Sequence, residues 1–190
     1  MVWDAPKDRR RRRTRTAVLD AAHRLFTVNG FRATSVESLA EAADVALSSI
    51  YANFPGGKAD VYLALAVRLA DEHAATMTGA LARPGVGAAA AFDAYVQFHR
   101  DEPGAFRLLG LTDVSDADSD LVAEARTRIG ETLRGVAATA AAAIGGPDAQ
   151  RRVLLVWAMV NGILALRERG LVDAVTADAL LGDARASVAS

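Results

Sequence analysis

Alanine restricts the fold of this chain more than any other residue type, since it occupies 42 of the 190 positions. Alanine loses the least free energy on entering a helix and is depleted in strands. Apolar residues also recur at spacings of three and four, as Val18, Ala22, Leu25 and Phe26 do, and this spacing places them on one helix face. Nine segments follow the pattern. We therefore predict an all-α chain of nine helices without a strand.

The residue types that carry most metal and redox chemistry are missing or scattered. The sequence has no Cys, and its three His residues, His23, His73 and His99, lie far apart. Disulfides and thiolate nucleophiles are excluded, and no group of residues has metal-site spacing. Motifs of zinc proteases, phosphate-binding loops and serine hydrolases are absent. We expect no metal, no cofactor, no catalytic residue and no enzymatic activity.

Positive charge is concentrated near the N-terminus, although the whole chain has a formal net charge of −1. Residues 1–34 contain nine Lys and Arg against three Asp and Glu, and Arg9 to Arg13 are consecutive. Residues 61–190 contain 12 basic and 16 acidic side chains. A positive segment on an otherwise acidic protein can bind nucleic acid through counterion release. The alternative interpretation is a solvated basic tail.

The longest apolar run, Val153–Leu166, has 14 residues and contains Asn161. A membrane span needs roughly 18 to 20 residues. No apolar signal core follows the basic N-terminus. We expect a cytoplasmic protein without a membrane partner.

Four helices are expected in the first 81 residues. The first covers about Arg11–Asn29, and a second of about eight residues follows Thr34, which would form a capping box with Glu37. A third covers Leu47–Phe54, and two short helices joined by a brief turn indicate a helix-turn-helix. A Pro-Gly-Gly break then precedes a long helix, Lys58–Leu81.

Five more helices are expected beyond the loop Arg83–Gly87. Their approximate positions are Phe92–His99, Phe106–Leu111, Ser119–Ile144, Asp148–Arg169 and Ala177–Val188. The fourth of them is apolar almost all round, so we expect it to be buried on both sides.

One stretch has the residues and spacing of a known DNA-binding domain. It comprises Thr16–Val36, Leu39–Val45 and Ser49–Lys58, and it resembles the N-terminal domain of the TetR family of bacterial transcriptional regulators. Phe106–Leu109 and Trp157–Gly162 are also similar to members of that family. The resemblance implies a homodimer with a nine-helix fold. It further implies a three-helix DNA-binding head, residues 1–57, and a body for ligand binding and dimerisation, residues 58–190, with the helix 58–81 connecting them.

Three positions depart from the family pattern. Asp44 stands where Gly is usual, and Asp tolerates the left-handed conformation better than most residues. Ala46 replaces the usual Ser or Thr cap of the recognition helix, which removes a hydroxyl worth roughly 1 kcal/mol. Asn53 replaces a frequent His.

The resemblance also assigns DNA contacts to side chains of the head. Ser48 and Ser49 are candidates for the major groove, Tyr51 and Lys58 for phosphates, and the basic arm for the backbone or minor groove. The full set of expected DNA-binding residues is Arg15, Thr34, Ser35, Ser48, Ser49, Tyr51, Asn53 and Lys58. Each could instead belong to an ordinary exposed face or to the small core.

In the body, aromatic and isolated polar residues suit an apolar pocket with a few orienting groups. The expected ligand-binding residues are Phe92, Tyr95, His99, Phe106, Trp157 and Asn161, and the alternative for each is plain core. Asn161 needs a partner inside its apolar run. Leu180, Leu181 and the apolar face of the eighth helix are the expected dimer surface.

The function expected from these features is a ligand-responsive repressor. A homodimer would bind double-stranded DNA at a palindromic operator, and a small apolar or amphipathic effector would release it. The alternative is a helical small-molecule-binding or interaction protein whose DNA-binding head is degenerate.

Overall fold

The computed structural model describes residues 7–82 and 87–189, and these ranges contain nine α-helices and no strand. The all-α fold class is thereby confirmed. The helices are α1 (Arg9–Ala33), α2 (Val36–Ala42), α3 (Leu47–Asn53), α4 (Lys58–Leu81), α5 (Gly87–Asp101), α6 (Ala105–Gly110), α7 (Val122–Ile144), α8 (Ala149–Glu168) and α9 (Ala174–Ala189). Most of the loop expected at Arg83–Gly87 lies outside the described residues.

Gly30 bends α1 near its end. It adopts φ 75° and ψ 170°, a conformation that residues with a Cβ rarely reach. One more turn follows, to Ala33. The stop expected at Asn29-Gly30 is therefore a kink, because Phe31 continues into a cluster with Phe26 and Tyr62.

The cap of α2 differs from the expected one by one residue. Ser35 is the N-cap, and it exchanges hydrogen bonds with Ser38: each backbone amide donates to the other residue's Oγ, at 3.0 and 3.1 Å. Thr34 is buried, and its hydroxyl donates to the Gly30 carbonyl at 2.8 Å. The prediction of a capping box between Thr34 and Glu37 was wrong, because the Thr34 hydroxyl instead donates to a carbonyl at the kinked end of α1.

The turn between α2 and α3 has the two features that the sequence suggested. Asp44 adopts φ 52°, so it takes the left-handed conformation that Gly would take at no steric cost. Ala46 is the N-cap of α3, and its side chain makes no cap hydrogen bond.

Two compact units divide the chain. Compact unit 1 comprises Met1–Asp71 and Pro103–Glu131, and compact unit 2 comprises Glu72–Glu102 and Thr132–Ser190. The predicted division into 1–57 and 58–190 is a functional one and stays a prediction. The compact units differ from it because the start of α4, together with α6 and the start of α7, packs with α1.

An aromatic cluster forms the core of compact unit 1. The ring centroids of Phe26, Phe31 and Tyr62 lie 5.2 to 5.9 Å apart, and Tyr62 is fully buried. Its hydroxyl lies 3.1 Å from the Arg107 carbonyl and 3.2 Å from an Asp113 carboxylate oxygen. Burial, with the negative charge of Asp113, raises the pKa of Tyr62. The phenol is therefore a fixed link from α4 to the segment that follows α6.

In compact unit 2, ion pairs link α5 to α9. The Arg185 guanidinium bonds both carboxylate oxygens of Asp93, at 2.6 and 2.8 Å, and Arg100 bonds Asp178 at 2.6 Å. The Arg185 contact holds the pKa of Asp93 below its usual value. Leu181, expected at the dimer surface, is instead buried in the chain's own core, whereas Leu180 beside it is exposed.

Helix α8 leaves much of its apolar surface exposed. Val160, Ile163 and Leu164 are buried, but Leu154, Leu155, Met159 and Leu166 are exposed. The expectation that both sides are buried was wrong for the single chain, because the neighbouring helices cover only one face. By length and composition, α8 is also the one helix in the described ranges that could cross a membrane.

Two histidines are buried in compact unit 2. The rings of Tyr95 and Phe98 stand edge-on to His73, with centroids 5.4 and 4.8 Å away, and His99 lies 6.2 Å away. Burial lowers the pKa of His73 to about 4, and burial with the nearby His73 lowers that of His99 to about 4. Both imidazoles are therefore neutral at pH 7.

Ala46→Ser should stabilise the protein, because the added hydroxyl can accept a hydrogen bond from an unpaired amide in the first turn of α3. We expect the free energy of unfolding in urea to rise by about 1 kcal/mol. Ala43→Ser is the control: it adds the same hydroxyl at the C-cap of α2 and should change stability by less than about 0.5 kcal/mol. An unchanged stability in Ala46→Ser would contradict the assignment of the cap.

Acid should destabilise the protein through its buried histidines. The unfolded chain binds a proton at His73 below about pH 6.5, whereas the folded chain does so only near pH 4. The free energy of unfolding therefore decreases as the pH is lowered through this range. Between about pH 7.5 and pH 5, His73 should account for about 2 kcal/mol of the loss.

Urea denaturation of His73→Gln at both pH values tests this. The variant should lose less stability than the parent protein on acidification. Thr139→Val is the control, since it changes no titratable group and removes a hydroxyl that bonds only the Gly135 carbonyl of its own helix, and it should keep the full pH dependence. Equal pH dependence in His73→Gln and the parent would show that folding does not lower the pKa of His73.

Candidate nucleic-acid interface and ligand cavity

Helix α3 has one buried and one exposed face. Ile50 and Phe54 are fully buried at positions i and i+4, so they anchor the helix in compact unit 1. Ser48 is exposed, and Tyr51 is 47% exposed. Ser49 is half-buried. Side chains of Ser48 and Tyr51 are therefore available to a molecule that approaches α3 from solvent.

Asn53 is occupied by its own helix. Its Nδ2 donates to the Ser49 carbonyl at 2.8 Å, and the residue is half-buried. The amide therefore closes the last turn of α3 and is poorly placed to reach a base edge.

The arginines at the start of α1 differ in exposure. Arg9 to Arg13 are all exposed, and the Arg11 guanidinium donates to the Ala52 carbonyl at 2.9 Å. Arg15 is only 8% exposed, and its guanidinium lies 4.6 Å from the centre of the Phe54 ring. The structure places Arg15 beneath α3, so the exposed positive charge at the start of α1 belongs to Arg9 to Arg13.

Lys58 joins the start of α4 to the end of α1. Its ammonium donates to the carbonyls of Phe31 and Thr34, both at 2.8 Å, and lies 4.3 Å from the centre of the Phe31 ring. Burial and the nearby positive charge of Arg32 lower the pKa of Lys58. Two of its three donors are therefore bound within the protein.

Ser35 differs from its buried neighbour. It is exposed, and its Oγ accepts from the Ser38 amide. A hydroxyl that accepts can still donate its own hydrogen. Ser35 therefore presents a donor at the start of α2, where Thr34 presents none because its hydroxyl is buried.

A cavity of about 460 Å³ lies within compact unit 2. Four helices contribute to its wall: α4, α5, α7 and α8. Its lining includes His73, Met77, Leu81, Tyr95, Arg152 and Trp157, and most of the other lining side chains are aliphatic. Cavities of this size and character bind small, mostly apolar molecules.

One hydrogen-bond chain lies at the cavity wall. The Trp157 indole donates to the Tyr95 hydroxyl at 2.9 Å, and this hydroxyl donates to Asn161 Oδ1. Burial raises the pKa of Tyr95. Asn161 thus has a partner on α5, which explains how an amide is tolerated within the apolar run of α8.

The structure brings half of the expected ligand-binding residues to the cavity. Phe92, Tyr95 and Trp157 line it, whereas His99 and Asn161 stand behind that wall and Phe106 belongs to compact unit 1. Sequence reasoning missed His73, Met77 and Leu81, which line the cavity from α4. Their spacing of four residues was a signal for one helix face, but it could not indicate that the face borders a cavity.

Two family models match the chain. The model of bacterial regulatory proteins of the tetR family matches residues 18–65, and that of the tetracyclin repressor-like C-terminal domain matches residues 88–183. The second match alone spans just over half of the chain. No curated protein sequence matches it significantly.

Solved structures share the fold at low sequence identity. The reduced form of NemR from E. coli superposes with a TM-score of 0.70 at 18% identity, covering 92% of this chain and 94% of that one. A TetR transcriptional regulator from Legionella pneumophila gives 0.69 at 17%, covering 90% and 95%. A protein of unknown function from Rhodococcus sp. RHA1 gives 0.68 at 24%, covering 92% and 93%. These likenesses concern the fold alone.

The two family matches extend over the helix-turn-helix of α2 and α3 and over most of the cavity helices. With the nine-helix architecture they lead to one conclusion: the chain belongs to the TetR family of bacterial transcriptional regulators, and its N-terminal helices are a helix-turn-helix DNA-binding domain.

Proposed function

We propose that this protein is a homodimeric repressor that binds a palindromic operator and is released by a small, mostly apolar effector. The observation that carries the proposal is the geometry of α3. Ile50 and Phe54 anchor it while Ser48 and Tyr51 face solvent, which is the arrangement that a recognition helix in the major groove requires.

The polar groups around α3 suit two kinds of contact. Ser48 and Ser49 are short donors and acceptors for base edges, and the hydroxyls of Tyr51 and Ser35 are donors for phosphate oxygens. The exposed Arg9 to Arg13 supply positive charge for the DNA backbone or the minor groove.

Four of the expected DNA-binding residues would affect DNA binding only indirectly, by fixing the positions of helices. They are Arg15, Thr34, Asn53 and Lys58. Arg15 supports Phe54, Asn53 closes α3, and Thr34 and Lys58 satisfy carbonyls at the end of α1. We assign these four residues to positioning, because each already makes a contact within the protein: Arg15 with the Phe54 ring, and the other three with backbone carbonyls.

The dimer surface is assigned to α8, with Leu180 of α9 beside it. Leu154, Ala158, Gly162 and Leu166 recur every four residues on α8, and all four are exposed. The small residues in the middle of this row let a second helix approach closely. Two helices from each chain would cover one another and place two recognition helices about 34 to 36 Å apart, one turn of DNA.

Effector release needs a ligand that prefers one of two conformations. The coupling between the cavity and DNA can be no larger than that preference, typically about 1 to 3 kcal/mol. Helix α4 carries Lys58 at its first residue and His73, Met77 and Leu81 on the cavity wall. It is therefore the element through which we expect the effector to act. Binding to chromosomal DNA requires a cytoplasmic location.

The missing cap at Ala46 favours a second function: a helical small-molecule-binding or interaction protein whose head no longer binds DNA. An uncapped α3 of seven residues would be too weak to hold its groove contacts. Specific DNA binding separates the two functions.

Tyr51→Phe should weaken operator binding by about tenfold, because it removes only the hydroxyl that donates to a charged phosphate oxygen. Affinity is measured by fluorescence anisotropy against the DNA that flanks the protein's own gene, at about 50 and 200 mM salt, with random DNA for comparison. Affinity should fall steeply as salt rises.

The matched control is Thr139→Val, which removes a hydroxyl that bonds only its own helix at Gly135 and should leave affinity unchanged. Equal affinity of Tyr51→Phe and the parent protein would remove Tyr51 from the interface. Equal and weak binding of the parent to both DNAs would favour the second function.

Leu154→Glu should convert the dimer into a monomer, because it places a charge within an apolar interface where desolvation is costly. Sedimentation velocity measures the change directly. Val28→Glu is the control, since Val28 is 81% exposed on α1 and the same substitution there should leave the dimer intact. A dimer that survives Leu154→Glu would place the interface elsewhere.

A further inference from the structure

Among the described residues, His73 is the one deeply buried cavity-lining side chain whose polar atoms have no hydrogen-bond partner. It is only 2% exposed, and neither Nδ1 nor Nε2 has a hydrogen-bond partner among the described residues. A buried polar group without a partner is costly, and native structures keep few of them. Its place on the cavity wall indicates that the partner comes from a bound molecule.

The neighbouring polar groups are already occupied. The Tyr95 hydroxyl donates its hydrogen to Asn161 and accepts one from Trp157, and Trp157 has no second hydrogen to donate. Arg152, on the first turn of α8, is exposed. The imidazole of His73 therefore has the only unused donor at the inner end of the cavity, within the part of the chain that the structure describes.

The imidazole defines the group that can bind it. A neutral imidazole has one N–H donor and one nitrogen acceptor. A hydroxyl matches it, because its hydrogen can go to the acceptor nitrogen, or its oxygen can accept from the N–H. A carboxylate offers acceptors only, and beside His73 its charge would be buried among apolar side chains, because Arg152, the cation among the described lining residues, is exposed. An ether could accept from the N–H but could not donate.

The cavity also limits the body of the ligand. His73, Met77 and Leu81 occupy positions i, i+4 and i+8 of α4, so this row extends about 12 Å along the helix. Beyond His73 the wall is aliphatic and aromatic, from Met77 to Val156 and Val160. The ligand body should therefore be apolar and elongated.

We propose that the cavity binds an uncharged, elongated apolar molecule with a single hydroxyl group, and that His73 is the residue that recognises this hydroxyl. The inference rests on the proposed function only in that the bound molecule would be the effector. Alkylphenols and aliphatic alcohols share this chemistry, and the hydroxyl is what the site selects.

Isothermal titration calorimetry at about pH 7.5 tests the proposal with three probes that share one apolar body and differ in their polar group. The probes are para-pentylphenol, its methyl ether para-pentylanisole, and para-pentylbenzoate, which is an anion at this pH. We expect the phenol to bind about tenfold more tightly than the ether, the ratio that one hydrogen bond in a buried site can supply. The benzoate should bind more weakly still.

Two variants assign the discrimination to His73. His73→Phe keeps an aromatic ring of similar size but removes both nitrogens, so the preference for phenol over ether should fall to less than about twofold. His23→Phe is the matched control: it makes the same change at a histidine outside the cavity lining and should retain the preference. Retention of the preference in His73→Phe would overturn the assignment.

A measurement on the parent protein does not depend on the folding of a variant. With ¹⁵N-labelled histidine, para-pentylphenol should shift the imidazole nitrogen signals of His73 and leave those of His23 in place, whereas para-pentylanisole should shift them less. Equal binding of phenol and ether, or no binding of any probe, would overturn the proposal.

The outcomes separate this inference from the proposed function. Specific operator binding by a protein that does not prefer the phenol would leave the repressor and remove the ligand class. A preference for the phenol that depends on His73, in a protein that binds no operator, would leave the ligand class and remove the repressor.

Discussion

Lys58 makes the contact on which the geometry of the DNA-binding domain depends. The kink at Gly30 and the turn to α2 leave carbonyls at Phe31 and Thr34 without helical partners, and the Lys58 ammonium bonds both. Since Lys58 is also the first residue of α4, one side chain joins the end of α1 to the start of α4 on either side of the helix-turn-helix. The aromatic cluster of Phe26, Phe31 and Tyr62 lies next to this junction, so burial and hydrogen bonding support the same arrangement.

Compact unit 2 uses a different balance of forces. Its cavity is apolar, and its few polar groups are bound to one another through Tyr95, Trp157 and Asn161. Two of its described features lack a counterpart within the chain. The His73 nitrogens have no hydrogen-bond partner inside the unit, and the apolar face of α8 is exposed on its surface. Both are costly for an isolated chain. A ligand and a second protomer would satisfy them, and these are the partners that a ligand-responsive dimer requires.

Much of the fold could be predicted from local signals. Helical spacing of apolar residues located the nine helices that residues 7–82 and 87–189 form, and the Pro-Gly-Gly break placed the start of α4 at Lys58. Capping was predicted less well, because Thr34 and Ser35 are adjacent hydroxyl residues and only the kink at Gly30 determines which one caps α2. The exposure of the expected DNA-binding residues could not be predicted either: Arg15 is buried with its guanidinium against the Phe54 ring, whereas Ser48 is exposed.

The sequence by itself determined the helical class, the helix-turn-helix and the absence of cysteine chemistry, since propensity, capping residues and spacing act over a few neighbouring positions. Tertiary structure decided which polar side chains make contacts within the protein and which can still bind another molecule. The Lys58 ammonium donates to backbone carbonyls 27 and 24 positions earlier in the chain, and His73 borders a cavity that four helices form together. Burial and hydrogen-bond partners of this kind come from helices separated by tens of residues, so no local pattern contains them.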